Sequence, residues 1–283
     1  MNATKEKVRP LLHWPGGKRR LMKHLLPKVP ADAVCYAEVF AGSAALLLAK
    51  ERHPVEVVND LNGDLVALMR NAHFHLPALL EEMRWFVASR KDFHDFVSQP
   101  GLTEIQRAAR FLLRNRVSFA GGMKSFGVAK TRGSGVGFDR EDVADRLEGI
   151  RRRLNKVVVE NLPYDRVLQN YDGPESFFFM DPPYVGPATG AYEGWKQEDM
   201  VQLRGRLDRL QGRFLLTIND SPENRRLFSD CKVEPVVTRN RLTNNRTHGA
   251  ATFGELIITV EPTPLIPSRL ELVLALARLL RCP

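Results

Sequence analysis

The sequence predicts an α/β fold: a mostly parallel sheet with helices between its strands, a helical insertion, and an antiparallel hairpin at one edge. Three observations carry this. Short apolar runs rich in β-branched and aromatic residues recur at 36–40 (YAEVF), 55–59 (VEVVN), 156–161 (KVVVEN), 176–181 (SFFFMD) and 213–219 (RFLLTIN). Polar or turn residues flank each run, the pattern of strands buried on both faces. Helical patterns at 43–52, 61–72, 197–211 and 222–229 alternate with them, and such alternation implies right-handed crossovers within one parallel sheet. Near the end, 233–239 and 254–260 enclose NRLTNNRTHGAATF with nothing helical between them, which reads as a long-looped hairpin.

The alternation breaks once. From about 65 to 155 the sequence shows no strand pattern, only helical patterns at 76–98 and 103–116, a Gly-rich stretch at 121–137 and a helix at 139–154. The last has Asp139 at its start, acids in its first turns and Arg151, Arg152 and Arg153 at its end, as a helix cap and dipole prefer. The expected organisation is a discontinuous sheet domain (1–65 and 155–262), a helical insertion (66–154), and a tail (263–283) with a short Leu-rich helix at 268–280.

Composition narrows the class. The 283 residues are 43% hydrophobic, enough for a full core. The net charge of +9 points towards a polyanionic partner without identifying one. Three scattered cysteines and seven histidines show no ligand spacing, so neither a metal nor a disulfide framework is expected. The opening MNATKEKVRP lacks the apolar stretch of a signal peptide, and no apolar run is long enough to span a bilayer. The expected location is cytoplasmic.

Ligands of open α/β sheets gather at the carboxyl ends of the strands, so the residues just after each strand matter most. After the first strand comes FAGSAALLLAK. Gly42 allows a tight turn into a helix whose first amides can hold an anion. After the second comes NDLNGDL, with Asp60 eighteen residues past Gly42. An acid there can accept the hydroxyls of a ribose or cap the next helix. After SFFFM comes Asp181-Pro182-Pro183-Tyr184. The prolines form a stiff support with free carbonyls. The carboxylate and a neighbouring carbonyl can accept both hydrogens of an exocyclic amine while Tyr184 lies against the ring. This suits a nucleobase taken out of its helix.

In this order, LLHWPGGKRRLMKHLLP, FAGSAA, NDLN and DPPY resemble the Dam-type (D12 class, alpha group) DNA adenine N6-methyltransferases. The resemblance covers about 1–65 and 155–260. It implies a Rossmann-like S-adenosylmethionine-dependent methyltransferase sheet with a helical target-recognition insertion. The implied activity is site-specific methyl transfer from S-adenosyl-L-methionine to N6 of a flipped-out adenine in double-stranded DNA, without metal. It places Trp14, Lys18, Phe40, Gly42, Asp60 and Asp181 at the cofactor, and Asp181, Pro182, Pro183 and Tyr184 in catalysis. The loop Phe-Ala-Gly-Ser has one glycine where many relatives have two. In the insertion, LLRNRVSFAGGMKSFGVAK is similar to the family only in its Asn, aromatic and Gly pattern, so no base-reading residues are carried over. Nor does the resemblance say whether a partner nuclease exists.

Charge points to the same insertion. Residues 107–166 hold fourteen Lys or Arg and seven Asp or Glu, and 107–137 hold seven basic residues and no acid. Phe119 and Phe126 are interleaved there, which suits phosphate contact and insertion into a duplex. The DNA-contacting candidates are Arg114, Arg116, Lys124, Lys130 and Arg132, with Arg239, Arg241 and Arg246 on the hairpin loop; the alternative is a solvated basic face. Among rival functions, RNA adenine or cytosine N4 presents the same amine chemistry, and a catalytically silent DNA-binding protein would keep the fold alone. A nicotinamide oxidoreductase fits poorly, because GxGxxG is missing.

Overall fold

The computed structural model describes residues 8–14, 17–127, 138–185, 195–239 and 252–260, with backbone alone at Ala120, Thr238, Arg239, Thr252 and Phe253. The expected tail helix and the hairpin loop lie outside the described residues. In chain order the main elements are α1 (Met22–Leu25), β1 (Cys35–Glu38), α2 (Ala45–Ala49), β2 (Val55–Asn59), α3 (Gly63–Phe74), α4 (Leu76–Met83), α5 (Arg90–Ser98), α6 (Glu104–Val117), α7 (Arg140–Leu154), β3 (Val157–Glu160), α8 (Tyr164–Tyr171), β4 (Ser176–Met180), α9 (Gln197–Leu207), β5 (Arg213–Asn219), α10 (Pro222–Leu227), β6 (Lys232–Arg239) and β7 (Thr252–Thr259).

The strands form one seven-stranded sheet in the order β3-β2-β1-β4-β5-β7-β6. β1 to β5 pair in parallel, and β7 runs antiparallel to both β5 and β6. From β1 the chain winds outward through β2 to β3, then returns to β4 on the other side of β1. The switch point therefore lies between β1 and β4, where Glu38 pairs with Phe179.

The SFFFM run is a strand buried on both faces, all five residues being inaccessible. Side chains alternate along a strand. Phe177 and Phe179 accordingly enter one core with Leu65, Leu79, Leu112 and Leu147, while Phe178 and Met180 enter another with Val167, Leu203 and Phe228. The first core reaches from the sheet into α3, α4, α6 and α7. The helices between β2 and β3 thus close one face of the sheet and share its core.

Local chemistry explains where boundaries depart from expectation. The pattern at 76–98 is two helices, because α4 stops at Met83 and Ser89 caps α5 by accepting from the Asp92 amide at 3.2 Å. α2 is shorter than 43–52: Ala44 has φ +51° and Lys50 is extended. α3 starts late because Asn62 is its cap, accepting from the Asp64 and Leu65 amides at 3.1 Å each. The unexpected α8 follows Pro163 and buries Val167 and Leu168.

One buried carboxylate binds α7 to the sheet. Glu56, on β2 and 2% exposed, accepts a fork of bonds from Arg153 at 2.6 and 2.8 Å and another from Lys50 at 2.5 Å. Arg52 donates to the terminal carbonyls of α7, at Arg152 and Arg153. Burial opposes the Glu56 charge, but Arg153 and Lys50 outweigh it and hold the carboxyl down to about 2. Removing one member of a buried ion cluster leaves the others uncompensated. Glu56→Gln is therefore expected to cost about 3–5 kcal/mol of unfolding free energy at pH 7. The folded pKa lies below the unfolded one, so this stabilisation is complete above about pH 4.5 and is lost as pH falls towards 2. Urea titrations of both proteins check it: their difference should shrink below pH 5, and a constant difference down to pH 3 would contradict it.

Candidate active site

Loops from β1, β2 and β4 converge at the switch point. The Val39 amide donates to the Phe179 carbonyl at 2.9 Å, so the chain leaving β1 still runs beside β4. Phe40 and Asp181, each two residues past the Glu38–Phe179 pair, emerge side by side. Gly42 has φ +49°, and a Cβ there would lie 2.7 Å from Cδ1 and Nε1 of the Trp14 indole. Both the conformation and the close approach of the indole require glycine.

Asp60 is 2% exposed and holds this loop from β2. Its Oδ2 accepts from the Gly42 amide at 2.8 Å and its Oδ1 from the Asn62 amide at 2.9 Å. The capping alternative is thereby resolved: the α3 cap is Asn62, and Asp60 joins the β1 and β2 loops. Phe40 packs against Tyr164 at 5.7 Å and edge-on to Trp195 at 5.6 Å. This aromatic wall draws on β1, α8 and the segment preceding α9, and its Tyr164 and Trp195 were not among the expected residues.

One amide in the first turn of α2 is engaged within the fold. The Leu47 amide donates to Glu38 Oε2 at 2.7 Å, and Tyr36 donates to the same oxygen at 2.9 Å. Burial nonetheless pushes the Glu38 carboxyl up to about 7. This internal carboxyl group is absent from the sequence reading.

Lys18, 4% exposed, reaches the DPPY turn from the N-terminal segment. Its Nζ lies 2.8 Å from Asp181 Oδ1 and donates to the Tyr184 hydroxyl at 3.0 Å. Glu255 of β7 stands 3.6 Å away on another side. Burial disfavours the ammonium, but Asp181, Tyr184 and Glu255 outweigh it and hold the pKa above the usual lysine range. Thr217 of β5 donates to Asp181 Oδ1 at 2.8 Å. Burial raises the Asp181 and Tyr184 pKa values, with Lys18 pulling both back. Asp181 retains 20% of its side-chain surface and accepts from both Lys18 and Thr217. Pro182 is buried and Pro183 half-buried beneath the turn. Trp14, Gly42 and Asp60 thus form one connected group, and Lys18, Asp181 and Tyr184 another.

The insertion candidates divide. Arg116 is 6% exposed and turned inward: it pairs with Asp142 at 3.3 Å and donates to the Leu11 carbonyl. Its assignment to DNA contact is corrected, because its guanidinium ties the N-terminal segment to α6 and α7. Arg114 is half-buried, stacked 5.8 Å from the Phe93 ring, and donates to the Met123 carbonyl. Lys124 is exposed. Around it the chain folds back on itself through the Ser118–Phe126 bridge, with the Phe119 amide donating to Ser125 at 3.0 Å. Phe119 is 65% exposed at this turn, whereas Phe126 lies against Phe93 and Arg90. Buried Asn115 donates to the carbonyls of His13 (2.9 Å) and Gly121 (3.2 Å) and accepts from the His13 amide (2.9 Å). The turn is thereby fastened to the residue before Trp14. Lys130, Arg132, Arg241 and Arg246, and the side chain of Arg239, lie outside the described residues. Among the described residues there is no metal-ligating cluster and no helix long and apolar enough to cross a membrane.

The sequence has known relatives. The chain is 26% identical to the Type II methyltransferase M1.LlaDCHI of Lactococcus lactis subsp. cremoris, across 92% of this chain and 98% of that protein. It is 25% identical to the Type II methyltransferase M.CviBI of Paramecium bursaria Chlorella virus NC1A, across 78% and 86%, and 22% identical to a DNA adenine methylase of Haemophilus influenzae, across 85% and 90%. A profile match over residues 14–242 takes in Trp14, the β1 and β2 loops, the helical insertion and the DPPY turn. The chain belongs to the D12 class N6 adenine-specific DNA methyltransferase family.

Proposed function

We propose that the protein transfers the methyl group of S-adenosylmethionine to N6 of an adenine extruded from duplex DNA. The observation that carries this reading is the Asp181 carboxylate. Its Oδ1 is occupied by Lys18 and Thr217, and it sits at the switch point next to Tyr184. Oδ2 and a carbonyl of the Pro182–Pro183 turn would accept the two amine hydrogens and stabilise positive charge developing on nitrogen. Tyr184 would stack on the purine.

The residues present fit the cofactor. Asp60 offers a buried acceptor for the ribose diol, and Gly42 leaves room for backbone and indole to meet over it. Trp14 and Phe40 would line the nucleoside, and the carboxylates of Asp181 and Glu255 suit a cation. Bound there, S-adenosylmethionine supplies an activated methyl group. DNA would be held by the insertion, with exposed Phe119 entering the stack and Lys124 on phosphate.

Asp181→Ala should lower single-turnover methylation of DNA by about 100- to 1000-fold, the usual loss for one preorganised contact. Mass spectrometry of digested DNA gives both the rate and the product, and turnover near wild type would refute the assignment. Asp60→Ala should weaken S-adenosylmethionine binding by roughly 1.5–3 kcal/mol in calorimetry, with duplex affinity changed far less. An unchanged dissociation constant would reduce Asp60 to a loop fastener. For DNA, Lys124→Ala should flatten the log–log salt dependence of binding by about one unit. Arg116→Met should leave that slope alone and lower the melting temperature instead. The reverse pattern would put Arg116 back on the phosphates.

A further inference from the structure

Glu255 has no part in the reading above beyond its charge, yet its surroundings are built around it. It lies on β7 opposite Asn219 of β5 and Val236 of β6, neither of which titrates. Its side chain is 13% exposed. The titratable groups acting on it are Lys18, Asp181 and Tyr184. Tyr184 accepts from Lys18 at 3.0 Å, and the buried Oε2 of Glu255, 3.6 Å from the same ammonium, has no hydrogen-bond partner among the described residues. The Lys18 ammonium therefore stands among the carboxyl groups of Asp181 and Glu255 and the Tyr184 phenol.

We propose that Glu255 is a positioning residue of the methyl-transfer site, drawing the Lys18 ammonium, which also holds the Tyr184 hydroxyl, partly away from Asp181. This rests on the reading of Asp181 as the amine acceptor. With Lys18 alone, Asp181 would form a neutral closed pair, its charge spent on the ammonium. With Glu255 present, the pocket keeps one net negative charge for the positive charge that develops on the target nitrogen. The antiparallel strand β7 is thereby part of the site, as is β5 through Thr217.

The test compares wild type, Glu255→Gln, Glu255→Asp and Tyr184→Phe on a duplex carrying the site mapped for the wild-type protein. Glu255→Gln should lower kcat roughly 10- to 100-fold, the scale of a small misplacement of reacting groups, with the KM for DNA little changed. Like charges raise one another's pKa. Removing the Glu255 charge should therefore lower the Asp181 pKa and move the acid limb of the pH–rate profile to lower pH. Glu255→Asp keeps the charge and should recover much of the rate with the limb near its original place. The Glu255→Gln and Tyr184→Phe losses should be less than additive. Without catalysis, wild type should bind the adenine duplex more tightly than one with unsubstituted purine at the target, and Glu255→Gln should narrow that gap. Wild-type kcat with an unmoved acid limb in Glu255→Gln would overturn the proposal, as would equal losses in the Gln and Asp variants with additive effects. Failure of the wild-type protein itself to form N6-methyladenine would instead refute the underlying reading.

Discussion

A lysine that is 4% exposed must be paired or lose its charge, and the architecture around Lys18 follows from that requirement. Its partners come from the DPPY turn and from β7. The N-terminal segment, the turn after β4 and the antiparallel strand must all be in place before the ammonium is satisfied. The same residue holds the side chains of both Asp181 and Tyr184.

A second constraint links the N-terminal segment to the insertion. His13 is fastened by both its amide and its carbonyl to Asn115, and Gly121 must be glycine because a Cβ there would meet the His13 carbonyl at 1.9 Å. The next residue, Trp14, sits on Gly42. Two consecutive residues thus touch the exposed Phe119 turn and the β1 loop. The shared hydrophobic core and the Glu56–Arg153 fork reinforce the coupling from the other end of the insertion.

The relatives share about a quarter of their residues with this chain yet match most of its length. What they have in common is compatible with extensive change elsewhere, because a sheet buried on both faces accepts many apolar sequences of similar volume. The buried polar contacts described here are less exchangeable. Each of Glu38, Glu56, Asp60 and Asn115 satisfies two or more donors or acceptors at once.

The sequence by itself determined the class of fold, because strand and helix periods are local properties and SFFFM admits only a strand covered on both faces. It also put forward Asp60, Asp181 and Tyr184, because they follow recognisable strands, and Trp14 and Lys18 through the resemblance of the opening motif. Tertiary structure alone decided which of them meet, since Lys18 and Asp181 are far apart in the chain and come together only through the strand order. It separated Phe119 and Lys124, which are exposed, from Arg116, which is buried; a run of positive charge on a helix does not say which side faces the core. It also brought in Glu38 and Glu255, whose neighbours in sequence are ordinary strand residues. Their role comes from what lies across the sheet, and no local pattern encodes that.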